Sequence, residues 1–209
     1  MEAKYLAYDS ESGGLSFAKH PILTAYFAAV SEDLAVIDEL DLKIRPDLTK
    51  YVVEQEALDV NGIKLEEHLA DPALVSPEEA KALILAFTKK HKPKGRGRLK
   101  PLGQNIFFDD MFIFTQLVPQ DEWEKSVHYG RIDTKVISDL MKDIGILPPD
   151  IGTLASLVEH FQVQKRTAHE AKSDVLMTID VYAKMIDTLK GLKNNASLIG
   201  GDILSQIER

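Results

Sequence analysis

Asp9 and Glu11 stand two residues apart at the end of an apolar run, Tyr5-Leu6-Ala7-Tyr8, and this placement constrains the fold more than any other feature. On an extended segment, residues i and i+2 share a face, so a strand over Lys4 to Tyr8 delivers both carboxylates to one side. Two carboxylates a few Å apart repel unless a cation is shared or one keeps its proton. Gly13-Gly14 follows at once and lets the backbone turn tightly or approach a ligand closely. Taken alone, the motif reads equally well as a surface turn with incidental acids.

Two further motifs remove that ambiguity. Asn105-Ile106-Phe107-Phe108-Asp109 opens a segment, Phe107 to Val118, that is apolar and long enough for a helix. A carboxylate at a helix N-terminus is favoured, so Asp109 reads as a ligand or as a plain capping residue, and Asp110 competes for the role. Asn105 suits a turn, where its side chain can bond the backbone. Near the end, His169-Glu170-Ala171-Lys172-Ser173-Asp174 leads into a helix with Ala171, Val175, Ile179, Tyr182, Ile186 and Leu189 on one face. Asp174 sits at the edge of that face, where a carboxylate needs a compensating charge. His169 lies five residues earlier, ~140° away on an ideal helix, and so belongs to the helix entry or the loop before it. A solvent-reachable histidine there suits a general base working near neutrality. The other histidines, His20, His68, His91, His128 and His160, read as exposed loop residues.

Hard cations such as Mg²⁺ or Mn²⁺ prefer carboxylate oxygens. Two of them ~4 Å apart can activate water and stabilise a leaving 3′-oxygen during in-line displacement at phosphorus. Asp9, Glu11, Asp109 and Asp174 supply four such carboxylates from three separate elements, and His169 supplies a base.

Strands are expected over Ile22 to Val30, Leu34 to Ile44 and Leu99 to Gln104, with a short one ending at Ile132-Asp133-Thr134. Ser76-Pro77-Glu78-Glu79 marks a helix start with Ser as N-cap and Pro at the first helical position. Further helices are expected over Lys135 to Ile144, Gly152 to Phe161 and His169 to Leu189. Strands first, then helices alternating with strands, imply an α/β fold with a mixed sheet. Residues 1–190 form one domain in this reading, and 191–209 a tail that docks on the domain, pairs with a second copy or binds a polymerase.

The three motifs, in this order, resemble the DEDDh family of 3′-to-5′ exonucleases, which includes bacterial polymerase proofreading subunits, RNase T and oligoribonuclease. Asn61-Gly62-Ile63 and Asp133-Thr134 extend the likeness from residue 4 to about 190. The resemblance implies an RNase H-like fold with about five strands, and two Mg²⁺ or Mn²⁺ ions held by Asp9, Glu11, Asp109 and Asp174. It makes His169 the base that deprotonates the attacking water. Ser12 and the nearby backbone, Gly14 included, would receive the terminal 3′-hydroxyl. Leu15 would pack against the terminal base, Phe108 would wall the pocket, and Asn105 would contribute to it. Ser12 replaces the usual Thr and keeps the hydroxyl. The implied substrate is a single-stranded 3′ end, DNA first and RNA as the alternative. A catalytically idle nucleic-acid-binding module is a more distant reading.

Composition sets outer bounds. The chain has 209 residues, 44% hydrophobic and 28% charged, as in an ordinary globular domain, and no cysteine, which excludes disulfides and a cysteine nucleophile. With no visible signal peptide and no stretch of the ~20 apolar residues a membrane span needs, the simplest reading is a cytoplasmic protein. The net charge of −8 argues against nucleic-acid binding through bulk charge, but not against a nuclease that recruits cations. Seven basic residues fall between Lys89 and Lys100 (Lys89, Lys90, Lys92, Lys94, Arg96, Arg98 and Lys100). They read as a solvated loop at the far end of the sheet, and secondarily as a contact for a distal strand or duplex.

Overall fold

The alternation in the first strand decides the architecture. The computed structural model describes residues 1–209 except Arg96, Ala168, His169, Glu208 and Arg209, and for 193–207 only the backbone. Its elements run β1 (Ala3–Ser12), β2 (Ile22–Ser31), β3 (Val36–Ile44), α1 (Gln55–Asn61), α2 (Leu65–Ala70), β4 (Leu74–Val75) and α3 (Pro77–His91). Then follow β5 (Lys100–Gly103), α4 (Phe107–Gln116), α5 (Gln120–Trp123), β6 (Ile132–Asp133), α6 (Thr134–Asp143), α7 (Leu154–His160) and α8 (Ala171–Ile207).

The strands form one mixed sheet in the order β4-β3-β2-β1-β5-β6. β1, β2 and β3 are antiparallel neighbours, while β5 joins β1, β6 joins β5 and β4 joins β3 in parallel. Six strands are therefore present where about five were expected; the addition is the two-residue β4 beside Lys43 and Ile44. The fold is RNase H-like, as the motifs implied.

β1 is buried on both faces. Leu6 and Tyr8 join Phe27, Ile84, Phe112 and Trp123 in the larger core, under α3, α4 and α5. Tyr5 and Ala7 face the opposite way and pack with Tyr26, Ala28 and Leu102 against Ala171, Val175 and Ile179 of α8. Met177, Val181 and Met185, on another stripe of α8, form a third cluster with residues of α6 and α7. The residues that continue these two rows past Tyr8 are Asp9 and Glu11 on the α8 side, and Ser10 and Ser12 on the other.

Local signals account for most boundaries. Ser76 and Glu79 form a reciprocal capping box at the start of α3. Asp133 caps α6 by accepting from Lys135 N, and Thr153 caps α7. Leu34, expected in the third strand, instead takes a left-handed turn conformation (φ 62°), and β3 begins at Val36. α1 and α2 were not expected, since neither has a side-chain N-cap bond and each is about two turns or less. The last helix runs past Leu189 and through Gly191 to Ile207. It passes Gly191, Gly200 and Gly201, and a glycine costs a helix interior only about 1 kcal/mol without ending it.

The basic segment lies at the expected end of the sheet but is not all loop: Lys89 and Lys90 belong to α3 and Lys100 opens β5. Lys100 pairs with Tyr5, so the run precedes β5 at the end of the sheet remote from Asp9. Lys90 and His91 bind Asp38, and the Lys94 backbone N donates to Glu2. Arg96 is outside the described residues.

Four histidines depart from expectation: His91 and His160 end helices α3 and α7 rather than lying in loops, and the His91 side chain is largely covered against Asp38. His20 and His68 are buried, each ring bonding a backbone carbonyl (Val52 O at 2.9 Å and Ile44 O at 3.0 Å).

Candidate active site

Asp9 and Glu11 pair across β1–β2 with Tyr26 and Thr24, which holds them on the α8 face of the sheet. α8 arrives with Ala171 and Val175 packed on that face, and Asp174 lies between them in its first turn. One carboxylate oxygen from each of Asp9, Glu11 and Asp174 lies within 4.8 Å of the other two. Residues from the two ends of the chain thus meet in one acidic triad that could hold a metal ion.

Asp109 reaches the same place from the other layer. It sits in the first turn of α4, is buried, and accepts two hydrogen bonds at Oδ1, from Ser10 N (2.9 Å) and Ser10 Oγ (2.7 Å). Ser10 points away from Asp9 and Glu11 because it is the intervening residue of the strand. Asp109 is thus anchored on Ser10, and its charge acts on Asp9 more strongly than those of Glu11 and Asp174, although it is not one of the three carboxylates that lie within 4.8 Å of one another. Asp110, the competing carboxylate, is committed to the core: it accepts from Tyr8 Oη and from Arg131 Nε.

Electrostatics sets the site apart. Burial raises the carboxyl of Asp9 far above the carboxylate range, aided by the charges of Asp109, Glu11 and Asp174. Burial, then Asp174 and Asp109, raises Glu11 to about 8. Burial raises Asp109 to about 7 even though the Ser10 hydrogen bonds favour its ionised form. Without a counter-ion these groups hold protons at neutral pH; a divalent cation would replace them. The donor set is all carboxylate oxygen, which suits a hard cation.

Beside Glu11 opens a cavity of about 280 Å³. Ser12, Gly14, Leu15 and Phe108 all line it, together with Glu54, Val60 and Asn61. Leu15 is 84% exposed, an apolar side chain held out with nothing packed over it. Ser12 Oγ donates to Gly14 O (2.8 Å), which leaves its lone pairs free to accept. Asn61 Nδ2 donates to Ser12 O (3.2 Å) and ties α1 to this wall. Gly14 is required by space: a Cβ there would lie 2.5–2.7 Å from the His20 ring. The Phe108 ring packs on Phe112, centroids 5.0 Å apart and planes tilted by 51°.

Asn105 does not line this cavity. It is exposed, with φ 56°, and its backbone N donates to Asp133 Oδ1 (2.9 Å). His169 lies outside the described residues. Sequence reasoning missed Ser10, Glu54 and Glu56. Alternation along β1 could have found Ser10, since it must face the layer opposite the two acids. Glu54 and Glu56 arrive with α1, and no local signal joins them to a site more than forty residues upstream.

No protein-family model matches the chain. A probable oligoribonuclease of Dictyostelium discoideum is 26% identical over 141 residues, which cover 64% of this chain and 69% of that protein. Among solved structures, E. coli exonuclease I in complex with a dT13 oligonucleotide superposes with a TM-score of 0.73 at 22% identity, over 93% of this chain and 43% of that one. The zinc-bound E. coli exonuclease I–ssDNA complex gives 0.73 at 21%, over 91% and 42%. This chain therefore spans about two-fifths of exonuclease I, with which it shares the fold. The likeness to DEDDh exonucleases read from the motifs holds in fold and in relatives.

Proposed function

We propose that this chain is a metal-dependent 3′–5′ exonuclease that releases nucleoside 5′-monophosphates from single-stranded DNA ends. The observation that carries this is the assembly of Asp9, Glu11 and Asp174 within 4.8 Å of one another, beside a cavity with an exposed apolar side chain. In this reading Asp9, Glu11, Asp109 and Asp174 hold two Mg²⁺ or Mn²⁺ ions, Asp109 directly or through water. Bound there, the cations would neutralise the carboxylates, polarise the scissile phosphate and offset charge on the leaving oxygen.

The chain's own residues do the rest. The terminal nucleoside enters the cavity with its base on Leu15 and Phe108, and its 3′-hydroxyl donates to Ser12 Oγ. This grip fixes the scissile phosphate over the triad, the positional advantage on which in-line attack depends. His169 takes a proton from the attacking water as the new P–O bond forms. The P–O3′ bond breaks on the opposite side, the departing 3′-oxygen gains a proton from solvent, and a nucleotide with a 5′-phosphate is freed. Because the leaving strand again ends in a 3′-hydroxyl, the cycle can repeat.

Trimming of RNA is the second reading, favoured by the oligoribonuclease relative. The two share chemistry and differ in whether the cavity tolerates or requires a 2′-hydroxyl. A polymerase subunit or a second copy as partner, and a cytoplasmic setting, remain part of the proposal; among the described residues no helix is long and apolar enough to cross a membrane.

The test uses 5′-labelled single-stranded DNA and RNA of matched sequence with Mg²⁺, Mn²⁺ or EDTA, resolved as a time-course ladder. Metal-dependent shortening from the 3′ end is expected, faster on DNA. Faster shortening of RNA would select the second reading, and retained binding without cleavage would leave an idle module.

A further inference from the structure

The triad has two flanks of opposite chemistry. On one side, Glu11 borders the cavity just described, where, among the described residues, Glu54 and Glu56 are the other charged side chains and no Lys or Arg contributes. On the other side, Asp174 borders a second cavity of about 210 Å³ between α7 and α8. Leu154, Val158 and Met177 form apolar wall there, and Lys165 and Arg166 stand at its edge with Glu159. Arg166 is only loosely engaged, 3.4 Å from Asp180. Lys165 makes no side-chain hydrogen bond or ion pair among the described residues.

A nucleic-acid end is lopsided in the same way. Across the scissile phosphate, the terminal nucleoside carries no further phosphate, whereas the strand carries one per nucleotide. The flank whose charged side chains are all acidic suits the first part, and the flank that offers Lys165 and Arg166 suits the second. Resting on the exonuclease reading, we propose that the α7–α8 cleft is the subsite for the penultimate nucleotide. Lys165 and Arg166 hold the phosphate on its 5′ side, and its base lies against Val158 and Met177. Charge asymmetry across the triad then sets the direction in which a strand can be threaded.

The test compares a substrate with a strand and one without. The p-nitrophenyl ester of thymidine 5′-phosphate supplies the terminal nucleotide and scissile bond, but replaces the strand with p-nitrophenolate. A Lys165→Gln/Arg166→Gln double variant should lose about tenfold or more in kcat/KM on a short oligothymidylate while changing the ester rate less than about twofold. Binding provides a second readout, by fluorescence anisotropy of the labelled oligothymidylate with Ca²⁺ in place of Mg²⁺. There the slope of log K against log salt should become shallower by about 0.7, the value for one lost single-strand phosphate contact. Equal losses on both substrates, or an unchanged salt slope, would overturn the subsite. If the wild type cleaves neither substrate, the exonuclease reading fails, and the salt slope still decides whether these residues hold a strand.

Discussion

Replacing Glu11 with glutamine should make the metal-free protein more stable and abolish its stabilisation by divalent cations. The folded state raises this carboxyl from 4.5 to about 8. A raised acid keeps its proton in the fold after the unfolded chain has released it. Its stability is therefore complete below about pH 4.5 and is lost as pH rises through about 8. At about 1.4 kcal/mol per pH unit, the shift puts roughly 4–5 kcal/mol at stake, and water at the open side of the site trims that to about 2–4. Glutamine has the same shape and no charge to accommodate, so that amount is recovered at pH 8. For a domain of this size it corresponds to about 5–15 °C in Tm. In the wild type a cation present at a hundred times its Kd should restore about 2.7 kcal/mol, more visibly at pH 8 than at pH 5. The assay is thermal unfolding in EDTA and in Mn²⁺ across that range. The reasoning is refuted if Glu11→Gln in EDTA at pH 8 melts no higher than wild type, or if it keeps the full Mn²⁺ shift.

Two other predictions follow from the terminal-nucleotide cavity. Gly14→Ala places a methyl against the His20 ring, so the wall carrying Ser12 and Leu15 must move; a loss of about 1–3 kcal/mol in urea unfolding and a raised KM are expected. Glu54→Gln/Glu56→Gln removes two carboxylates from the wall around the 3′ end. Wild type should degrade 3′-phosphorylated DNA at least about tenfold more slowly than 3′-hydroxyl DNA, as expected when like charges face one another, and the double variant should narrow the gap. Equal rates of wild type on both ends would count against this placement.

The motifs made the acids of the site legible because their physics is local. Asp9 and Glu11 share a face by strand alternation, and Asp174 stands out as a carboxylate beside the apolar stripe that packs α8 on β1 and β2. The first three strands and α3, α4, α6 and α7 were legible for similar reasons, through apolar runs and caps. What escaped depends on distance. Asp109 was named from its motif, but its anchorage on Ser10 was not, since no spacing along the chain records it. Asp110, its neighbour in sequence, differs from it only by turning toward Tyr8 and Arg131. α1 and α2 lack side-chain caps, so they are fixed by tertiary contacts such as Asn61 on Ser12 rather than by their own sequence. His20 and His68 read as loop residues because their partners are backbone carbonyls more than twenty residues away. The extension of α8 escaped because a glycine weakens a helix without ending it.

The most direct test of the account is hydrolysis of 5′-labelled single-stranded DNA by Asp174→Ala, alongside Asp9→Ala, with folding followed by circular dichroism. Each carboxylate enters the triad from its own end of the chain. Loss of cleavage in Mg²⁺, by about three orders of magnitude or more with the fold intact, is expected of a residue that holds a catalytic metal. Full activity in either folded variant would contradict the central claim.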